Sequence, residues 1–465
     1  VALAEDLVVE GCDLRAGTAE DALDAAGPGE GAGPALVPAQ VARPADTAAL
    51  ARVMAAAARH GLTVVPRGHG TAADWGAPPR TVDLLVDTTG LSWIDHNAGD
   101  LVVEVGAGTP MRELTAVLAA AGQRLSHDPV RADATVGGLL ATGMSGPRRL
   151  LTGALRDLVI GMTVVRADGV VARSGGRVVK NVAGYDLAKL HTGALGTLGV
   201  IAAVAFRLHP LPPAVRLVGA SVADAAEAAS ALAGLRAGTA VPSAVEIDRP
   251  AAGPLRLSVV LEGTEGGMDS RVAQVRRALS GAGGGADGGR TDGGRQDGER
   301  PDSGGLDGGG RAGGPGTSGT ARTTGAPDGV TVTDTLPDDW GVLPERGTLA
   351  LVTVPPAEAP VAATELGALA ERDFGVAVRV TGSAPRGALF AAFPPGAPPD
   401  AVAAVAAQGR SRPGWSVRVL RAEPAVHEAG VDLWGEVPGL PLMRAIKDSF
   451  DPGHRLSPGR FAGGI

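Results

Sequence analysis

Residues 176–209 open as Gly176-Arg-Val-Val-Lys-Asn-Val-Ala-Gly-Tyr-Asp-Leu-Ala-Lys-Leu-His-Thr-Gly-Ala-Leu-Gly-Thr-Leu-Gly-Val-Ile201 and run on to His209. Gly184, Gly193, Gly196 and Gly199 interrupt an otherwise apolar sequence. Each removes a Cβ, so the backbone there can approach something flat or bulky. Two more glycine-rich loops lie upstream. Pro66-Arg67-Gly68-His69-Gly70-Thr71 follows the apolar run Leu62 to Val65. Thr135-Val136-Gly137-Gly138 leads into Ala141-Thr142-Gly143-Met144-Ser145-Gly146. A single loop of this kind is a common surface turn; three in one chain, in this order, are informative together.

The composition bounds the classes. A chain of 465 residues favours two or three domains and a sizeable core. Its 44% hydrophobic content is ordinary for a soluble protein. A formal charge of -8, with no clustered basic face, argues against nucleic-acid binding. Cys12 is the only cysteine, so an internal disulfide and a cysteine-ligated cluster are both excluded, and a reducing cytoplasm is expected. No apolar stretch of about 18 residues or more suggests a membrane span. The first residues lack a basic segment followed by an apolar one, so no signal peptide is expected.

Periodicity places the loops on elements. Residues 1–33 read as a loosely packed lead-in. Asp46 is positioned to cap a helix through His60, with Leu50, Val53, Met54 and Ala57 on one face and Gly61 at its end. Leu62 to Val65 reads as a strand delivering the 66–71 loop; Asp83 to Val86 and Leu101 to Val105 are further strands. Thr109 before Pro110 predicts a capped helix to about Ala121. Ala167-Asp168-Gly169 predicts a hairpin turn between Val159–Arg166 and Val170–Arg173. Val200 to Leu208 is another strand. Past Pro213, strands at 257–261, 349–354 and 376–380 alternate with Ala-rich helices near 222–235, 361–373 and 399–408. Residues 281–328 are nearly all Gly, Asp, Arg, Ser, Thr and Pro, too polar to offset chain entropy, and read as a disordered insertion. An amphipathic helix near 442–450 is stopped by Pro452.

In sum the three glycine segments resemble the PCMH-type FAD-binding family, the vanillyl-alcohol-oxidase type of flavoprotein, and most of all the FAD-binding subunits of bacterial glycolate oxidases. Trp75-Gly76 and the closing Ser457-Pro458-Gly459-Arg460 strengthen the likeness, although Ser457 stands where the family usually has Asn. The resemblance implies an α+β fold: a PCMH-type FAD-binding domain of two subdomains (34–213), an α+β cap (214–430), and a C-terminal segment (431–465) returning to the FAD domain. FAD carries a dianionic pyrophosphate, which needs backbone N–H groups unobstructed by side chains. The resemblance assigns that role to Pro66, Arg67, Gly68, His69, Gly70 and Thr71. Asp128, Pro129, Thr135, Val136, Gly137, Gly138, Thr142, Ser145 and Gly146 follow the pyrophosphate towards the flavin. Asn181, Gly184, Tyr185, Asp186 and Lys189 precede Gly196, Gly199, Val200 and Ile201, which are expected near the adenine–ribose or flavin edge. Aligning Arg67 with the Arg of the Arg-x-Gly-Gly-His loop used for covalent attachment puts Thr71 at the linkage position, so non-covalent FAD is expected.

The resemblance further implies a catalytic flavoprotein subunit, an iron–sulfur subunit and a small 2-hydroxy acid substrate. Relatives that oxidise D-2-hydroxy acids carry closely spaced cap histidines for metal binding and proton abstraction. Residues 214–440 hold only His427. His191, His209 and His454 stand alone and read as structural. Arg379, Arg386, Arg418 and Arg421 suit either a substrate carboxylate or a solvated face. A free-standing oxidoreductase, or a structural subunit with an unused FAD site, are the alternatives.

Overall fold

The computed structural model describes residues 7–23, 36–128, 130–131, 133–177, 185–281, 324–325 and 329–465. Pro129, Asn181, Gly184 and nearly all of the polar insertion lie outside them. Among the described residues, three large sheets and a two-stranded pair, Gln123–Arg124 with His209–Pro210, carry the architecture. The first has four strands in the order Cys12–Ala16, Gln40–Pro44, Leu84–Asp87 and Val64–Arg67. Its last three are parallel. The helix Thr47–Arg59 covers it with Leu50, Val53 and Met54, all fully buried, and Asp46 caps that helix by accepting from the Ala49 N–H at 2.7 Å.

The lead-in is not loose where it is described. Cys12–Ala16 pairs with Gln40–Pro44, and Leu7 is buried. Asp21, also buried, accepts from Arg15 at 2.5 and 2.8 Å and from Arg67 at 3.0 Å. The hydrogen bonds from Arg15 hold its carboxyl far below the ordinary range.

The second sheet is antiparallel: Ile94–Asn97, Val102–Gly106, Val200–Arg207, Val159–Val165 and Val171–Gly175. The hairpin turn falls at Asp168-Gly169, with Gly169 at φ +84°. Thr109 does not cap the next helix. Its hydroxyl is bound to both backbone groups of Trp93, and the helix runs Met111–Ala120 with Pro110 at its N-cap.

The third sheet has nine strands, running from Thr324–Gly325 at one edge to Ser416–Arg421 at the other. Within it Ala214–Val222, Leu255–Gly263, Ala244–Arg249, Arg379–Ser383, Ala388–Ala392 and Leu349–Thr353 are successive neighbours. The strand expected at 376–380 is displaced to 379–383. Helices Ala225–Ala237, Met268–Leu279, Ala359–Phe374 and Pro399–Arg410 share its hydrophobic core.

One chain of ion pairs joins this sheet to the glycine-rich half. Arg124 makes two bonds of 2.7 Å to Glu262, Arg148 Nε reaches Glu262 at 2.8 Å, and Arg148 also pairs with buried Asp128. Burial raises the Glu262 pKa, but the bonds from Arg124 and Arg148 outweigh it and leave it lowered.

The C-terminal helix Leu440–Phe450 buries an unusual residue, Lys447, at 0% exposure. Its Nζ donates to Thr197 O at 2.8 Å, Leu456 O at 2.9 Å and Asp451 Oδ2 at 2.8 Å. Removing one partner of a buried pair strands the other charge. Asp451→Asn is therefore expected to destabilise the protein by about 3–5 kcal/mol, measured by urea denaturation. A cost below about 1 kcal/mol would show that Lys447 is held by the two carbonyls alone.

Candidate functional site

The three glycine segments meet pairwise. A Cβ on Gly68 would lie 2.3 Å from Thr135 Oγ1, so the first loop touches the second. A Cβ on Gly143 would lie 2.9 Å from Gly193 Cα, joining the second to the third. A Cβ on Gly196 would lie 2.8 Å from Pro66 Cγ, joining the third to the first. These glycines therefore permit loop-to-loop contact, not only approach to a ligand. Hydrogen bonds fix the arrangement: Gly193 N donates to Leu140 O at 2.8 Å and Leu195 N to Ala141 O at 2.9 Å. Thr135 caps the helix Val136–Thr142 by accepting from Gly138 N at 3.2 Å.

Between the segments lies an open cleft enclosing about 820 Å³. Pro66, Arg67, Gly68, His69, Gly70 and Thr71 line it, as do Thr135, Gly137, Gly138, Thr142, Gly196, Gly199, Val200 and Ile201. Among the described residues, the backbone N–H groups of Gly68, His69, Gly70, Thr71 and Ala72 donate to no protein group. Successive unpaired N–H groups on a turn form an anion-binding concavity. Gly70, at φ +75°, supplies the left-handed step.

Several expected residues are placed elsewhere. Val136 is buried, its N–H bonded to Thr109 O. Asp128 is occupied by Arg148, which donates to it from both backbone N–H and side chain. Ser145 and Gly146 line a second cavity against the nine-stranded sheet. Tyr185 is 90% exposed and does not reach the cleft. Arg421 is neither solvated nor free for a ligand: buried, it donates to the carbonyls of Gly347, Pro344 and Arg346. Arg379 is paired with Asp248, while Arg386 and Arg418 are exposed.

The cleft also contains residues that periodicity missed. Arg460, from the far end of the chain, lines it and donates to the carbonyls of Trp75, Ala72 and Ala73 at 2.7–3.0 Å. Burial lowers its pKa to about 10. Ser457 sits in the left-handed region at φ +43°, where Asn is the favoured non-glycine residue. Its N–H donates to Val64 O, but its buried Oγ has no partner among the described residues. His191 is 4% exposed, lines the cleft, and meets Phe450 edge-on at 5.7 Å. The only signal for His191, read from sequence as structural, was its place two residues before Gly193 in the glycine run.

Comparison with known proteins gives the class. Residues 38–175 match the family described as FAD binding domain. The glycolate oxidase subunit GlcE of Escherichia coli (strain K12) is 41% identical over 107 residues, covering 23% of this chain and 31% of that protein. D-lactate dehydrogenase of Archaeoglobus fulgidus is 32% identical over 170 residues, 37% of this chain and 38% of that one. These curated relatives are thus matched over about a third of their length. Among solved structures, 4-ethylphenol oxidase from Gulosibacter chungangensis superposes with a TM-score of 0.66 at 15% identity, over 91% of this chain and 89% of that one. Alkyldihydroxyacetonephosphate synthase gives 0.60 at 16% identity, over 91% and 76%. The fold is the PCMH-type FAD-binding fold with a mixed helix-and-sheet second part, and the cofactor is FAD. The relatives matched over that third include a glycolate oxidase subunit and a D-lactate dehydrogenase.

Two outcomes are expected from the geometry. Gly68→Ala, which drives a Cβ into the capping Thr135, should cost about 1–3 kcal/mol; Gly176→Ala, in open space, should stay within about 0.5 kcal/mol. Equal effects in thermal unfolding would refute the loop-contact argument. Second, burial lowers the His191 pKa to about 4 from 6.5. The unfolded chain then binds the extra proton between those values, so His191 contributes stability above pH 6.5 that is lost as pH falls through this window. His191→Gln should flatten the stability–pH curve between about pH 6.5 and 4, read by denaturation at stepped pH.

Proposed function

We propose that the cleft holds FAD non-covalently and that the chain is the FAD-carrying subunit of a glycolate (2-hydroxy acid) oxidase-type complex. One observation carries the reading: the run of unpaired N–H groups from Gly68 to Ala72, on a glycine turn directly after a buried strand. These five groups fit a pyrophosphate, and the glycines leave no side chain in the path. Thr135, Gly137, Gly138 and Thr142 form the facing wall, and Gly196 to Ile201 the third. Bound there, FAD would supply two-electron redox chemistry. The protein's part is to bind, to orient and to exclude water. Non-covalent attachment is supported at His69, whose Nδ1 is 2.8 Å from Asp133 O.

The likeness to GlcE supports a subunit role, and the composition supports partners. With Cys12 as the sole cysteine, residues 1–465 cannot supply the cysteine ligands of an iron–sulfur cluster. No histidine pair marks the nine-stranded sheet region. Among the described residues no group of three or more metal-ligating side chains occurs, and no helix is long and apolar enough to cross a membrane. The complete substrate site is assigned to a catalytic flavoprotein subunit. Electrons would leave through an iron–sulfur subunit at the inner face of the membrane.

The test starts from the purified chain. A yellow protein is expected, with all flavin released into the supernatant by acid precipitation. Anaerobic glycolate or D-lactate should bleach it only when the partner subunits are present. Bleaching of the isolated chain would assign it a catalytic site of its own and overturn the carrier reading.

A further inference from the structure

Residues 12–23 lie ahead of residue 38, where the match to the FAD-binding family begins. They nevertheless reach the cleft. Leu23, 3% exposed, lines it beside Val65 and Pro66, and packs with Val41, Val65 and Leu85 in a small core behind the first glycine loop. Two residues earlier, buried Asp21 takes hold of Arg67. Arg67 Nη2 donates to Asp21 Oδ1 at 3.0 Å, and Nη1 to the Asp21 carbonyl at 3.4 Å. The Arg67 carbonyl is fixed too, by the Thr88 hydroxyl at 3.2 Å. Ordering a long side chain normally costs free energy when a ligand binds; here Arg67 is ordered beforehand.

The charges around Asp21 do not cancel. Its oxygens also accept from Arg15 at 2.5 and 2.8 Å, and Oδ2 accepts from the Thr18 N–H and hydroxyl, each at 3.0 Å. The carboxylate is saturated and has no bond left to offer a ligand. One carboxylate between two guanidiniums leaves one positive charge, and of the two arginines it is Arg67 that lines the cleft. Among the described residues, Arg67 Nε has no hydrogen-bond partner. This donor belongs to the residue directly before the unpaired N–H groups of Gly68 to Ala72.

We propose that Arg67 is a phosphate-binding cation of the cleft, that Asp21 is its positioning residue, and that the N-terminal segment is thereby a working part of the cofactor site. The ligand chemistry is a pyrophosphate, which a guanidinium bonds well; that it belongs to FAD rests on the function proposed above. Arg15 offsets the charge of Asp21, so Arg67 meets the phosphates uncompensated. If the Asp21–Arg67 bond merely tied the segment down, its loss would lower stability and leave ligand affinity alone.

The test is a double-mutant cycle on the full chain, read in two ways: FAD affinity of the apoprotein by flavin fluorescence, and its stability by urea denaturation. Arg67→Gln should weaken FAD by about ten- to a hundredfold. Asp21→Asn should weaken it by about three- to tenfold. In the Arg67→Gln background, Asp21→Asn should change FAD affinity by less than about twofold, because its effect runs through the missing guanidinium. Arg15, 53% exposed, provides a variant that folds should Asp21→Asn not. Arg15→Gln should weaken FAD by about two- to fivefold when Arg67 is present and not in its absence. Wild-type FAD affinity in the single variants, or an Asp21→Asn effect that persists undiminished without Arg67, overturns this assignment and leaves the FAD subunit standing. A wild-type apoprotein that binds no FAD overturns both.

Discussion

The buried ammonium of Lys447 is the constraint on which the cleft depends. It joins Thr197 in the third glycine segment to Leu456 in the returning tail, and Asp451 supplies the countercharge. Burial pushes the Lys447 pKa down, and Asp451 opposes that shift. Asp451 Oδ2 also accepts from Leu456 N at 2.7 Å, so one carboxylate fixes both the charge and the chain. From there the tail runs beside Val64 and delivers Arg460 under the turn at Ala72–Trp75. The first glycine loop is thus braced from below by residues nearly 400 positions away in sequence.

A second set of charges places the other cavity. Arg124, Glu262, Arg148 and Asp128 form a continuous chain from the five-stranded half to the large sheet. Arg148 ends the segment that carries Ser145 and Gly146, and Arg149 follows it directly. The pairing that locks the two halves together therefore also sets Arg149, which forms no ion pair among the described residues, at their junction.

The glycine loops were legible because their residues announce a backbone need that survives without tertiary knowledge. Asp46 as a helix cap and Gly169 as a turn were legible for the same reason. What failed involved competition for a group. Thr109 has the right residue type for a cap, but Trp93 takes its hydroxyl. Asp128 sits in the family's segment, but Arg148 occupies it. Arg421 has the charge for a ligand, but three carbonyls consume it. The roles of Lys447 and Arg149 escaped the reading, and Arg460 was seen only as part of a closing motif, because a cation in a polar helix or tail looks solvated until the fold surrounds it.

Carboxyl chemistry in the second cavity bears on what the chain can do there. Taking a hydroxyl proton during oxidation requires a base, and a carboxyl group kept protonated by burial is a donor instead. Burial pushes the pKa of Glu246, which lines that cavity, well above its ordinary value, and residues 214–440 bring no histidine pair.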